Sequence, residues 1–204
     1  MKSIDPNELP EHENYKFLTG SIIPRPIAFV TTLSENGIVN AAPFSYFNIV
    51  CSNPPMISVS VQRFNGAMKD TSRNAIEKKE FVVHIADESY IEKINITAKS
   101  LPSNESEVVL ADLTTVESTK ITVPGIKESK IRLECVLEQV VELGGTGPKD
   151  PACELLIGRV VHYHIREELY QNGRIDSKQL QPVSRLAGDF YSKLGEEIEI
   201  KRPT

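Results

Sequence analysis

The chain has no apolar run approaching the ~20 residues that a membrane-spanning helix requires. Its opening residues, Met1 to Pro10, carry Asp5 and Glu8 and no apolar stretch of the kind that directs export. Neither membrane nor secretion is indicated, and the cytoplasm is the expected compartment. Basic residues are scattered, and 23 Lys and Arg against 28 Asp and Glu leave a net charge of −5. A nucleic-acid surface needs clustered cations to neutralise phosphates, so no nucleic-acid partner is expected. Cysteine is sparse: Cys51, Cys135 and Cys153 are odd in number and lack the short paired spacings of a zinc or iron–sulfur site. They read as free thiols that pack. A catalytic cysteine would need His84, His162 or His164 brought to it by the fold, and no pattern selects such a pair.

Motifs are missing as well. There is no GxGxxG behind a strand, no P-loop, no HExxH and no GxSxG, so the signatures of Rossmann domains, NTPases, zincins and α/β-hydrolases are absent. Gly144-Gly145-Thr146-Gly147 is Gly-rich but lacks the P-loop lysine and a following helix, and with Pro148 it reads as a hairpin turn. No metal site is expected: His162 and His164 share a strand face, but two histidines without a third ligand make no metal centre.

What is present has globular proportions. The 204 residues are 40% hydrophobic and 25% charged, enough for one domain over 1–204 with its core over about 13–195. Pro26 to Leu33 is rich in β-branched and aromatic residues and ends in Ser34-Glu35-Asn36-Gly37, an Asn-Gly hairpin signal. The return arm is Ile38 to Ala42, after which Pro43 forces an edge position or an exit from the ladder. Met56 to Val61 alternates Ile57, Val59 and Val61 with Ser58 and Ser60. Its polar face would meet either a ligand or solvent. Ile131 to Leu143 sets Ile131, Leu133, Cys135 and Leu137 against Arg132, Glu134 and Glu138, and Cys153 to Ile165 is a second long strand. Helices are predicted over Thr71 to Lys79, capped by Asp70 or Thr71, and over Ser89 to Ser100 with Ile91, Ile94 and Ala98 inward. Phe81 to Ile85 adds a strand, and Leu101 to Gly125 reads as polar and irregular. The expected class is mainly β with short helices, a barrel or sandwich.

Two clusters carry possible chemistry. From Asn40 to Asn53, small Ala41 and Ala42 allow close approach, Asn40 and Ser45 offer hydrogen bonds, and Phe44, Tyr46 and Phe47 offer flat walls. The mixture suits a planar, polar-edged ligand, or else aromatics packed under a sheet edge. Lys69-Asp70-Thr71 opens a helix, where free N–H groups, an ammonium and a hydroxyl would bind a phosphate monoester. An ordinary capped helix is the other reading.

Together these segments resemble the FMN-binding split-barrel flavin reductases, in particular the flavoredoxin-like group. The likeness rests on Pro24-Arg25-Pro26-Ile27-Ala28, on Asn40-Ala41-Ala42-Pro43-Phe44-Ser45-Tyr46-Phe47, on Asn53-Pro54-Pro55 and on Lys69-Asp70-Thr71. Gly158-Arg159-Val160-Val161-His162 and Arg185-Leu186-Ala187-Gly188-Asp189-Phe190-Tyr191 complete it, spanning Glu13 to Gly195. The chain departs from the commonest forms at Ala41 and Ala187. The resemblance implies a six-stranded antiparallel Greek-key split barrel and a homodimer with FMN near the subunit contact. It implies that Asn40, Ala41, Ala42, Pro43, Ser45 and Phe47 lie along the ribityl chain and phosphate and that Lys69, Asp70 and Thr71 close on the phosphate. Thr31 and Thr32 would face the ring, His162 would lie on the cofactor side, and Arg185 and Tyr191 on the nicotinamide or acceptor side. NADH or NADPH would deliver hydride to flavin N5, with no catalytic residue demanded of the protein. The electrons would pass to a partner oxygenase, a flavin or another acceptor. The alternative is a non-enzymatic FMN-binding electron carrier.

Overall fold

The computed structural model describes residues 1–145, 147 and 150–203. Seven strands form one antiparallel sheet: β1 Ala28–Leu33, β2 Val39–Phe44, β3 Phe47–Ser52, β4 Pro55–Gln62, β5 Glu80–Ile85, β6 Ile131–Leu143 and β7 Cys153–Ile165. Their order is β2-β1-β5-β6-β7-β4-β3. That order dictates curvature. β2 and β3 hold opposite edges, yet only Ser45 and Tyr46 separate them. Seven flat strands would span roughly 29 Å at ~4.8 Å spacing, whereas three peptide steps from Phe44 to Phe47 reach about 11 Å. The sheet therefore curls until its edges approach. Its strand count exceeds by one the six implied by the resemblance, because Phe47–Ser52, read above as part of a ligand-facing segment, also pairs with β4.

The concave interior is filled by Ala28, Val30, Ile57, Val59, Val61, Phe81, Val83, Leu133, Cys135 and Leu156, with Ala75 of a helix closing over them. These are alternate residues along each strand, as the period of two predicts. At Gly158, a Cβ would sit 2.3 Å from the Phe81 ring, so only glycine lets β7 pass that side chain. The Asn36-Gly37 turn joins β1 to β2, with Thr31 opposite Ala41 and Gly37 at φ +77°. Pro43 sits on β2, which pairs with β1 alone, so its missing N–H costs no ladder bond. β6 and β7 pair antiparallel with Leu143 opposite Cys153. Thr146 and Pro148 of the Gly-rich segment between them lie outside the described residues.

The helices differ in detail from the sequence reading. α1 is Glu11–Ser21, and α2 runs Asp70–Lys78 with Lys69 as its N-cap. Neither Asp70 nor Thr71 caps α2, since Asp70 turns instead to the Arg73 guanidinium. α3 is Ile91–Ile96, shorter than predicted, with Ile94 buried and Ala98 exposed. The span 101–125, read as irregular, contains α4 Glu107–Leu110 and buries Val108, Ala111, Leu113, Ile121 and Val123. The tail returns through Val183–Arg185 to pair with Arg25–Pro26.

The largest departure is Glu134. Predicted to face outward, it does leave the interior, but it is fully buried beneath residues 117–126, which strap the outer face. Its carboxylate accepts from Thr119 N at 2.6 Å, Lys120 N at 2.7 Å and His164 Nε2 at 2.5 Å. Burial pushes this carboxyl up, but the hydrogen bonds from His164, Thr119 and Lys120 outweigh it and leave it below the usual range. Glu80 holds the same strap at Thr122, through N at 2.7 Å and Oγ1 at 2.6 Å. His84, without accessible surface, accepts from Ile126 N at Nε2 and so carries its proton on Nδ1, toward Phe29 O; both contacts are 2.8 Å. Burial lowers its pKa to about 3.

Candidate functional site

A cleft of about 330 Å³ opens where α2 meets β2. Its walls include Asn40, Ala42, Pro43 and Phe44 from β2, Lys69, Asp70 and Thr71 from the start of α2, Phe64, Lys99 and Glu107. The two clusters read from the sequence thus meet in one place, because the Asn36-Gly37 hairpin after β1 returns β2 to the mouth of the sheet that α2 closes.

The cleft's polar groups are not equivalent. Glu107 Oε2 accepts from Asn40 Nδ2 at 3.0 Å and Ala41 N at 3.1 Å. Burial pushes its carboxyl up, these hydrogen bonds pull it back in part, and Asp70 adds to the rise. Asn40 Oδ1 in turn accepts the Thr71 hydroxyl at 2.9 Å and the Thr32 hydroxyl at 3.4 Å. Thr71 therefore spends its proton on Asn40 and presents lone pairs, not a donor, to any other partner. Asp70 is paired with Arg73. Lys99 has no ion-pair partner among the described residues, and neither has Lys69. The Lys69 ammonium lies 6.0 Å from the Phe44 ring centroid. Desolvation lowers its pKa. It stands at an α2 N-terminus that no side chain caps, where backbone N–H groups concentrate positive potential.

A smaller cleft of about 190 Å³ shares Pro43, Phe44 and Ala98 with the first and adds Ser45, Asn95, Arg185 and Tyr191. The Arg185 guanidinium stacks 4.5 Å over the Tyr191 ring, and the Tyr191 hydroxyl donates to Asn95 at 2.9 Å. Ser45 accepts a long 3.5 Å contact from Arg25, whose guanidinium ties α1 to the tail through Thr19, Ile22 and Leu186 carbonyls.

Other predicted residues fall elsewhere. Thr31 and Thr32 have no accessible surface: Thr31 donates to Pro124 O at 2.7 Å, and Thr32 accepts from Asn74 at 3.2 Å. The Ala41 side chain lies in the outer core with Phe29 and Ile126, leaving only its neighbours to line the cleft. Phe47 packs on the interior cluster. His162 stacks edge-on against His164 at 4.7 Å, on the strapped outer face. No group of three or more His, Cys, Asp or Glu among the described residues is placed to hold a metal. The three thiols are free, with Cys135 pushed up by burial. No described helix is long and apolar enough to cross a membrane. Sequence reasoning missed Glu107 and Phe64. The first carries no local signal, whereas the second precedes Asn65-Gly66, a hairpin turn legible in the sequence.

The architecture is a curled antiparallel sheet with a cation-bearing, aromatic-walled cleft at its mouth. Residues 19–179 match the flavin reductase like domain, and the chain belongs to that family. It is similar over 98% of both chains to nitrilotriacetate monooxygenase component B from Bacillus cereus, at 64% identity and a TM-score of 0.96. An uncharacterized Bacillus subtilis protein, YwrF, is 52% identical over 97% of both chains. The flavoredoxin of Desulfovibrio vulgaris, 22% identical over 88% of this chain and 91% of its own with a TM-score of 0.76, shares the fold.

Proposed function

We propose that the cleft at α2 holds FMN and that the protein is an NADH- or NADPH-dependent flavin reductase supplying electrons to a partner oxygenase or another acceptor. The observation that carries this reading is the Lys69 ammonium, without a counter-ion among the described residues, beside an uncapped helix N-terminus. Two carboxylates share the cleft, but Glu107 is turned to the Asn40 amide and Ala41 N, and Asp70 is paired with Arg73, so Lys69 and Lys99 are the cations open to an anion. An anion fits there, and a phosphate monoester is the anion that distinguishes FMN from riboflavin.

When bound, the flavin would supply the hydride-accepting N5. Lys69 and the N–H groups at the start of α2 bind the phosphate. Pro43, Ala42 and Asn40 border the rest of the cleft, and the Glu107 carboxylate fixes the Asn40 amide so that its oxygen faces Thr71. Arg185, stacked on Tyr191 in the adjoining cleft, offers a cation to the phosphates of a nicotinamide dinucleotide. A homodimer, a six-stranded Greek-key split-barrel core, a single domain over 1–204 and a cytoplasmic location belong to the same reading. The likeness to a monooxygenase component favours an enzyme over a pure electron carrier.

Titrating FMN and riboflavin by fluorescence tests the assignment. Lys69→Ala is expected to weaken FMN by roughly 1.5–3 kcal/mol, the worth of a hydrogen bond to a charged group, while leaving riboflavin unchanged. Equal losses for both flavins would remove the phosphate assignment. Anaerobic bleaching of the loaded protein by NADH or NADPH separates reductase from carrier: a protein that neither nucleotide bleaches is no reductase.

A further inference from the structure

Phe64 lines the cleft and is 65% exposed, an unusual position for a phenyl ring on a mount that does not move it inward. The mount is a tight hairpin in which Phe64 N donates to Ala67 O and Ala67 N to Phe64 O, both at 3.0 Å. Asn65 and Gly66 turn the chain at φ 51° and 75°, the paired left-handed residues of a two-residue hairpin loop. Arg63 anchors its base: the backbone N donates to Ala152 O at 2.8 Å, and the guanidinium bonds the fully buried Glu154 at 2.6 Å and Glu142 at 3.1 Å. A rigid turn on a buried ion pair thus holds an aromatic face in a cleft whose other walls include Phe44, Pro43 and the unpaired Lys69 ammonium. The cleft offers flat apolar surface together with the Lys69 and Lys99 cations, which matches a molecule with a planar ring at one end and an anion at the other.

We propose that Phe64 is a ring-binding residue, the preset wall against which the isoalloxazine of bound flavin lies. The inference rests on the cofactor reading above and adds to it the residue that grips the ring. A planar ring covering Phe64 removes its exposed face from water and adds an aromatic contact.

The test titrates FMN and riboflavin, with ring-less ribitol 5-phosphate as competitor, against wild type, Phe64→Ala and Phe64→Trp. Phe64→Ala is expected to raise Kd for FMN and riboflavin alike by roughly tenfold and to leave ribitol 5-phosphate unchanged, the converse of Lys69→Ala. The chain contains no tryptophan, so the indole of Phe64→Trp is a lone reporter, and in contact with the ring it should quench bound-flavin fluorescence below the wild-type level. Unchanged flavin affinity in Phe64→Ala would overturn the proposal, as would equal weakening of ribitol 5-phosphate. A loss that follows dissociation of an oligomer by light scattering would also overturn it, placing Phe64 in a contact between copies. Failure of wild type to bind FMN at all would overturn the cofactor reading itself, and this inference with it.

Discussion

The strap on the outer face and the cleft at α2 treat charge in opposite ways. Under the strap, Glu134 takes three donors, Glu80 takes two, and the His84 ring is used at both nitrogens. Around the cleft, Lys69 lacks a counter-ion among the described residues and Phe64 lies open. The strap is where polar residues are satisfied by one another, and the cleft is where a charge is left without an opposite one.

That contrast breaks most decisively at Glu134. Glu134→Ala strands two backbone N–H groups and His164, and should cost about 3–5 kcal/mol in urea unfolding while FMN affinity per folded molecule stays constant. A stable variant would mean that the strap's other ties, Glu80 to Thr122, His84 to Ile126 and the buried Ile121 and Val123, suffice to hold it.

Acid should act on the strap in the same direction. The His84 pKa is about 3 in the folded protein against an ordinary 6.5, so below pH 6.5 the unfolded chain takes a proton that the native one refuses. Stability from this group is complete above pH 6.5 and falls toward pH 3, by up to ~1.4 kcal/mol per pH unit. Glu134, held below the usual carboxylate range, adds a loss of the same sign at pH values under its unfolded pKa. Urea midpoints across pH 7 to 4 for wild type and His84→Gln measure the difference, and parallel profiles would remove His84 as its source.

Thr31→Val sharpens the boundary between the regions. Its hydroxyl bonds Pro124 O, so a loss of about 1 kcal/mol in stability is expected with no change in FMN binding. Weakened FMN with unchanged stability would return Thr31 to the ring, where the family resemblance put it. The smallest effect belongs to Lys69→Ala on folding: a surface-like change within about 0.5 kcal/mol, despite its large expected effect on FMN. A clear loss of stability there would make Lys69 part of the fold instead of the site.

Periodicity made the long strands legible. Ile57, Val59 and Val61, like Leu133, Cys135 and Leu137, all face the interior as their spacing required, and Asn36-Gly37 marked the first hairpin. Helix ends were less legible, because Asp70 had two local partners to choose from and took Arg73 over the helix N-terminus. In the residues themselves the candidate site was visible as two separate clusters, Asn40 to Phe47 and Lys69 to Thr71, and only the family resemblance joined them at one phosphate.

The sequence by itself determined the strand faces, the first turn and membership of a flavin reductase family, since each depends on residues close along the chain or on their order. Tertiary structure alone decided which polar groups are spent and which are free. Thr31 meets a carbonyl 93 residues away and Asn40 a carboxylate 67 away, and neither partner announces itself locally. Hydrogen bonds are satisfied in space and not along the chain, so Thr31, Thr71 and Lys69 read alike as candidate ligand contacts until folding supplied partners to the two threonines and none to the lysine.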